Sequence, residues 1–362
     1  MTSAITFLPP VASDIPEPDR HAGAPLPREM LSLLGHEAAE HEFLSLYNSG
    51  KLHHAFLLTG PEGIGKASFA YRAARFLLSE GERESGDAMF APVAPKSLNV
   101  PSQSRTAHLI ANDAHPDLAV LARRYDAKTK KFRQEISVED TRNALALFEK
   151  TAAFGGWRVI LVDAADDLNT ASANALLKTL EEPPEKAMFF LIAHQPQRLL
   201  PTIRSRCRTL AFEPLGDADM RTLLAAFGGA SGQEEAILAH AEGSIRQALR
   251  LREKGVVAFL SQVENALAML PKRNPADIDR IADACKTGAD GAQAMTDLLV
   301  EVEHWLHARM RTAIASGVGV YTAASYADLW AKLQGEAATV EAFNLDRRAF
   351  VISMIEEMAA LG

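Results

Sequence analysis

The sequence contains few cysteines. Only Cys207 and Cys285 are present among 362 residues, too few for a disulfide framework or a four-cysteine metal site. We therefore expect a reducing, cytoplasmic location. The chain also lacks an uncharged apolar run of about 18 residues, so no membrane span is predicted. Residues 1–28 are rich in proline, have neither the basic head nor the apolar stretch of a signal peptide, and are predicted to form a flexible tail.

Positive charge is also scarce. Lysine and arginine total 38 against 46 acidic residues, which gives a net charge of -8. Because non-specific phosphate binding depends on a surplus of lysine and arginine, this balance argues against a protein that coats DNA by itself. Hydrophobic residues make up 48% of the chain, which is typical of a packed globular protein. A length of 362 residues predicts two or three domains.

A strand, a glycine-rich loop and a helix are predicted in succession near the start of the chain. The apolar run His54–Thr59 predicts a strand, and the helical spacing of Lys66–Ser79 predicts a helix. Between them, Gly60-Pro-Glu-Gly63-Ile-Gly65-Lys66 matches G-x-x-x-x-G-K, in which backbone N–H groups and the lysine hold phosphates. The sequence therefore predicts a nucleotide-binding P-loop.

The metal-binding part of this loop is incomplete. The residue after Lys66 is Ala67, where a hydroxyl normally binds Mg²⁺, and Ser68 is one position too far along the helix. Asp163 ends a second predicted strand, where the Walker B carboxylate belongs. Two alternatives stay open: a loop that holds ATP or ADP without hydrolysis, and a vestigial site without nucleotide.

Buried apolar strands alternate with helices through the first half of the chain. This alternation predicts an α/β fold with a parallel sheet covered by helices on both faces. After Pro214 the pattern is helical to the end, with a break at residues 271–277. The predicted segments are a lead-in helix at 30–50, strands at 54–59, 118–121, 157–162 and 187–193, helices at 66–79, 137–150 and 170–181, and an irregular insertion at 81–116. The predicted domains are 29–214 (P-loop domain), 215–270 (small helical domain) and 271–362 (helical C-terminal domain).

The most specific motif is SANALLKTLEEPP at residues 172–184, followed by Ser205-Arg206-Cys207. From about Gly35 to Pro214 the chain resembles bacterial clamp-loader subunits of DNA polymerase III, which are AAA+ proteins. The resemblance implies a helical lid at 215–270 and a collar domain at 271–362 that joins a hetero-oligomer. It also implies partners: gamma/tau and delta subunits, and the sliding clamp and primed DNA through the complex.

The resemblance implies roles for individual residues. In AAA+ proteins a glutamate that activates water follows the Walker B aspartate, but here the residue is Ala164. Without it and without a hydroxyl at position 67, no independent catalysis is expected. Arg206, with Ser205 and Cys207, matches a finger presented in trans to ATP on a neighbouring subunit. Arg246 matches the sensor-2 arginine that reaches bound nucleotide, with a solvated surface arginine as the alternative.

An impaired P-loop combined with a retained Ser-Arg-Cys points to the delta-prime branch of the family, a largely non-hydrolysing stator within a DNA-directed DNA polymerase holoenzyme. One alternative is an ATP-hydrolysing gamma/tau-type subunit, which would need a hydroxyl at 67 and a glutamate at 164. Another is a DNA-binding regulator with a decayed NTPase core, which the acidic balance disfavours. Many relatives bind zinc through four cysteines between the P-loop and Walker B. Residues 81–116 contain none, so neither zinc nor another metal ion is expected.

Overall fold

The computed structural model describes residues 5–10, 16–17, 20–21, 23–80, 94–228, 232–253, 255–315 and 320–361. The chain divides into two compact units, residues 1–251 and residues 252–362. All the predicted site residues belong to the first unit. The helix Val256–Ala268, which we predicted as part of the lid, falls in the second. The predicted subdivision at 214 and 270 stays a prediction.

The first unit is built on a five-stranded parallel sheet, whose strands lie in the order Leu118–Ala122, Arg158–Asp163, Ala187–Ala193, Ala55–Thr59 and Arg208–Ala211. The strands Tyr125–Asp126 and Lys131–Phe132 form a small antiparallel hairpin. Every residue of Ala187–Ala193 is buried. Near-continuous burial is typical of a parallel sheet covered on both faces, so the predicted α/β class is confirmed. The strands are β1 (Ala55–Thr59), β2 (Leu118–Ala122), β3 (Tyr125–Asp126), β4 (Lys131–Phe132), β5 (Arg158–Asp163), β6 (Ala187–Ala193) and β7 (Arg208–Ala211).

Helices cover the two faces of this sheet. Residues of β1 alternate between two cores, since successive side chains of a strand point to opposite faces: Phe56 and Leu58 pack on one side and Ala55 and Leu57 on the other. The helices are α1 (Glu37–Asn48), α2 (Lys66–Leu78), α3 (Arg105–Ala111), α4 (Val138–Glu149), α5 (Thr170–Glu181), α6 (Pro201–Arg204), α7 (Asp217–Ala226), α8 (Glu234–Ala241) and α9 (Ile245–Leu251), with 3-10 turns at Ala165–Asp167 and Pro196–Arg198.

Two short elements differ from the sequence prediction. The strand β7 was missed because it is four residues long and only Leu210 is buried, which leaves no apolar run. The insertion predicted to be irregular contains α3, whose start is capped by Ser104 Oγ accepting from the Ala107 N–H. Seven residues are too few for helical spacing to be recognised. Residues 81–93 of the insertion lie outside the described part.

The N-terminal segment also differs from its prediction. Leu8 and Leu26 are buried, and Leu8 packs with Ala107 and Ala111 of α3. The lead-in helix begins at Glu37 rather than near Met30: Met30 instead forms an antiparallel bridge with Phe7, and the N–H groups of Leu31 and Ser32 donate to the Thr6 carbonyl oxygen. The described residues before position 29 thus include packed apolar side chains, and the flexible tail stays a prediction.

The second unit is helical. Its core includes Leu298, Val302, Leu333 and Met354. None of the helices in the described residues is long and apolar enough to span a bilayer. The helices are α10 (Val256–Ala268), α11 (Pro275–Ala284), α12 (Gly288–Ala315), α13 (Val320–Ala342) and α14 (Arg347–Leu361).

Candidate functional site: a P-loop cavity and a surface arginine

The P-loop joins the carboxyl end of β1 to the start of α2, as the sequence predicts. Gly60 has a φ of +140°, and a Cβ there would lie 2.3 Å from the Phe212 carbonyl oxygen. Gly65 precedes α2 with a φ of +110°. Both positions therefore require glycine, because L side chains rarely adopt these backbone angles and the first has no room for one.

The ammonium of Lys66 is buried inside the loop that it follows. Lys66 is only 2% exposed, and its Nζ donates to the carbonyl oxygen of Gly60 at 2.6 Å and to that of Pro61. Burial lowers the pKa of Lys66 to about 8, against the opposing effect of the nearby carboxylates of Asp163 and Glu62. An anionic partner placed here would stabilise the charged form of the lysine.

A cavity of about 140 Å³ adjoins the loop, and most of the predicted nucleotide-binding residues line it. Gly60 does not line it and contacts Lys66 instead. The described part of the predicted tail forms one wall, through His21, Pro25 and Pro27. The predicted site residues at the cavity are Gly63, Gly65, Lys66, Ala67, Ser68, Asp163 and Arg246.

Arg246 reaches the P-loop from the start of α9. Its backbone N–H donates to the Gly63 carbonyl oxygen at 3.3 Å, and its guanidinium forms an ion pair with Glu62. The two segments are so close that a Cβ on Gly63 would lie 2.4 Å from Ser244 Oγ. Helix α9 thus packs directly on the loop, and Glu62 holds the arginine there.

The carboxylates after β5 have separate contacts. Asp166 accepts from the backbone N–H groups of His194 and Gln195 at 2.6 and 3.1 Å, and Asp167 pairs with Arg123 at 3.0 Å. Ala164 is buried and offers no polar group. Both downstream aspartates are therefore engaged in contacts within the chain.

Sequence reasoning missed two histidines at this site. His194 follows β6 and lines the cavity; burial and the nearby charge of Lys66 lower its pKa. His36 is buried, and its Nε2 donates to the Ile64 carbonyl oxygen at 2.6 Å. This hydrogen bond holds the backbone of the P-loop in place. The position of His194 was foreseeable, because the carboxyl ends of parallel strands meet at one edge of a sheet.

Arg206 lies on the surface between α6 and β7. Its side chain is 34% exposed, with Nη2 2.6 Å from Glu181 Oε1 and Nη1 3.0 Å from the Thr202 carbonyl oxygen. The adjacent Ser205 hydroxyl donates to the same Thr202 oxygen at 3.1 Å. Burial raises the pKa of the Cys207 thiol to about 12, so Cys207 is a packed apolar neighbour of the arginine and not a nucleophile.

The strand register separates Arg206 from the chain's own P-loop. Arg208 begins β7 level with Phe56, whereas Thr59, the residue before the P-loop, lies level with Ala211. Three strand steps between these levels span about 10 Å, and Arg206 lies beyond the far end. Arg206 does not line the cavity. Arg206 is therefore separated from the P-loop cavity of its own chain by at least the length of this strand pair.

One family model and several known proteins match this chain. The model described as DNA polymerase III, delta subunit, matches residues 35–216. DNA polymerase III subunit delta' of Pseudomonas aeruginosa is 34% identical over 222 residues, 61% of this chain and 62% of that protein. DNA polymerase III subunit tau of Escherichia coli is 30% identical over 296 residues, 74% of this chain and 42% of that protein.

Among solved structures, a gamma-subunit-related protein of DNA polymerase III from Thermotoga maritima is similar at 16% identity with a TM-score of 0.43, covering 88% of this chain and 99% of that one. The matches to the curated delta' and tau relatives cover less than two thirds of those proteins' length.

Proposed function

The chain belongs to the DNA polymerase III delta-subunit family, and we propose that it serves as the delta-prime subunit of a clamp loader. In this role it is a stator. It holds neighbouring ATPase subunits in register, supplies Arg206 in trans to an adjacent ATP site, and so helps to place the sliding clamp on primed DNA. The relative named subunit delta' supports this assignment over a gamma/tau-type motor, as do Ala67 and Ala164.

One observation carries the proposal. Arg206 is partly exposed, is held by contacts at its guanidinium, and lies at the end of the β1–β7 strand pair opposite the P-loop. An arginine in that place can contribute to hydrolysis only if another chain brings ATP to it. A guanidinium that meets the γ-phosphate stabilises the charge of the transition state and contributes roughly 10³ to 10⁵ in rate.

The chain's own P-loop has features that favour nucleotide binding and lacks two that hydrolysis needs. Lys66, the backbone N–H groups at the start of α2 and Arg246 form a cationic wall of the cavity that suits phosphates. The hydroxyl for Mg²⁺ and the water-activating carboxylate are both replaced by alanine. We propose that ATP or ADP binds here as a structural ligand, with Lys66 holding the phosphates and Arg246 exchanging Glu62 for them. No zinc is proposed.

Assembly followed by turnover tests the proposal. The purified chain is mixed with gamma/tau-type and delta-type subunits of the same organism and examined by gel filtration. ATP turnover with clamp and primed DNA is then compared with and without the chain. We expect co-elution, a rise in turnover when the chain is added, and no hydrolysis by the chain alone.

A chain that elutes separately, yet binds DNA with a steep salt dependence, would instead be a stand-alone regulator. Steady hydrolysis by the isolated chain would favour a gamma/tau-type motor.

A further inference from the structure

We infer that Glu181 is a positioning residue for Arg206: its carboxylate holds the guanidinium in the orientation that meets a phosphate on the neighbouring subunit. The inference deepens the proposed function and rests on it. Glu181 is the last residue of α5, and its Oε1 lies 2.6 Å from Arg206 Nη2.

The backbone on both sides of this ion pair is fixed by the core. Leu180, next to Glu181, is 1% exposed, and Ile203, three residues before Arg206, is fully buried in the same cluster. The end of α5 is also tied to the start of β1, because His54 Nε2 donates to the Leu180 carbonyl oxygen at 2.9 Å. The core therefore sets the separation of the two exposed side chains.

The contacts of the guanidinium leave part of it available. A guanidinium has five N–H donors. Three acceptors among the described residues contact Arg206: Glu181, the Thr202 carbonyl oxygen and Ser205 Oγ at 3.4 Å. Nη1 donates to the Thr202 oxygen and to Ser205 Oγ, and Nη2 faces Glu181 in an ion pair, so the Nε–H has no acceptor among the described residues. The arginine is thus oriented by its own chain while keeping the Nε–H for a phosphate.

Glu181 has no evident role in stabilising its own helix. A carboxylate at a helix C-terminus is disfavoured by the partial negative charge of the last carbonyl groups. The adjacent Glu182 is also exposed but forms no ion pair within the described residues. Exposed ion pairs contribute little to stability, so a role in orientation accounts for the pair better than a role in folding does.

Orientation has a measurable consequence for the rate. A free arginine side chain has a large rotamer entropy, which is lost when it is fixed against a phosphate. Fixing it beforehand lowers the barrier of the chemical step, since less order has to be created in the transition state. We expect Glu181→Ala to lower kcat of the assembled complex roughly tenfold with little change in KM for ATP, because the arginine acts on charge that develops during transfer.

A double-mutant cycle in the full complex tests the inference. Six versions of the chain are assembled with their partner subunits: wild type, Glu181→Ala, Glu181→Gln, Arg206→Ala, the Glu181→Ala/Arg206→Ala double variant, and Glu182→Ala as the matched control. The inference expects the double variant to equal Arg206→Ala and the control to equal wild type. Glu181→Gln keeps an acceptor oxygen and should restore part of kcat.

The outcomes separate the inference from the proposed function. If Arg206→Ala lowers turnover and Glu181→Ala does not, or raises it, the positioning role is wrong and the trans arginine stands. A further fall caused by Glu181→Ala in the Arg206→Ala background would indicate a general structural effect and would also overturn the inference. If Arg206→Ala itself changes nothing, the trans role fails and the positioning role fails with it.

Discussion

Lys66 should make the stability of the first unit depend on pH. Its ammonium is buried, and its pKa falls from 10.5 to about 8 on folding. Between these values the unfolded chain binds the proton and the folded chain does not, so stability rises with pH across this window. Integrating the difference in proton binding of Lys66 from pH 7.5 to 10 gives a contribution of about 2 kcal/mol to the free energy of unfolding of the wild type. Lys66→Met lacks this contribution.

The two cysteines allow each unit to be followed separately, which matters because chains with two units need not unfold in one step. Cys207 reports on the first unit and Cys285 on the second. Thiol labelling in urea, read by mass spectrometry, gives a midpoint for each cysteine. Comparing the two variants at the same pH cancels differences in thiol reactivity. The difference in urea midpoint between the wild type and Lys66→Met should change with pH at Cys207 and stay constant at Cys285. If the midpoints of the two proteins at Cys207 respond identically to pH, the reasoning is refuted.

Other predictions follow from single contacts. Gly63→Ala places a Cβ 2.4 Å from Ser244 Oγ at a φ of +77° and should cost about 3 kcal/mol in urea unfolding. Gly50→Ala, at +67° in open space, should cost only about 1 kcal/mol; equal losses would contradict the clash. Asn169 caps α5, because its Oδ1 accepts from the Ser172 N–H at 2.9 Å. Asn169→Ala should therefore lower the free energy of unfolding by about 1 kcal/mol, and an unchanged urea midpoint would contradict the capping role. Cys207, with its pKa raised to about 12, should react with iodoacetamide at pH 8 at least about tenfold more slowly folded than unfolded, and equal rates would show that it is not shielded.

Long, strongly patterned elements could be predicted from the sequence. The helix α5 and the strand β6 have the predicted bounds, because Asn169 caps the helix, Pro183 ends it, and β6 is an unbroken apolar run. The N-terminal segment could not be predicted in the same way. It has no periodic pattern, and the packing of Leu8 involves α3, which is distant in sequence and was itself unrecognised.

The site residues that belong to sequence motifs could be predicted. The residues that only contact them could not. The P-loop, Asp163 and Arg246 come together as the motifs imply. Their partners do not follow from any motif: Glu62 meets Arg246 across 184 residues. Such pairs depend on how helices end and how loops pack, and a single sequence does not encode that in a local pattern.

The most direct test of the central claim is ATP turnover by the assembled complex, stimulated by clamp and primed DNA, with Arg206→Ala in place of the wild-type chain. Arg204→Ala, two residues earlier, serves as the matched control, and gel filtration establishes equal assembly. The account predicts that Arg206→Ala lowers turnover by roughly 10³ at the adjacent site, while Arg204→Ala leaves it near the wild-type rate. Full turnover by an intact complex that contains Arg206→Ala would contradict the claim that this chain supplies the arginine in trans.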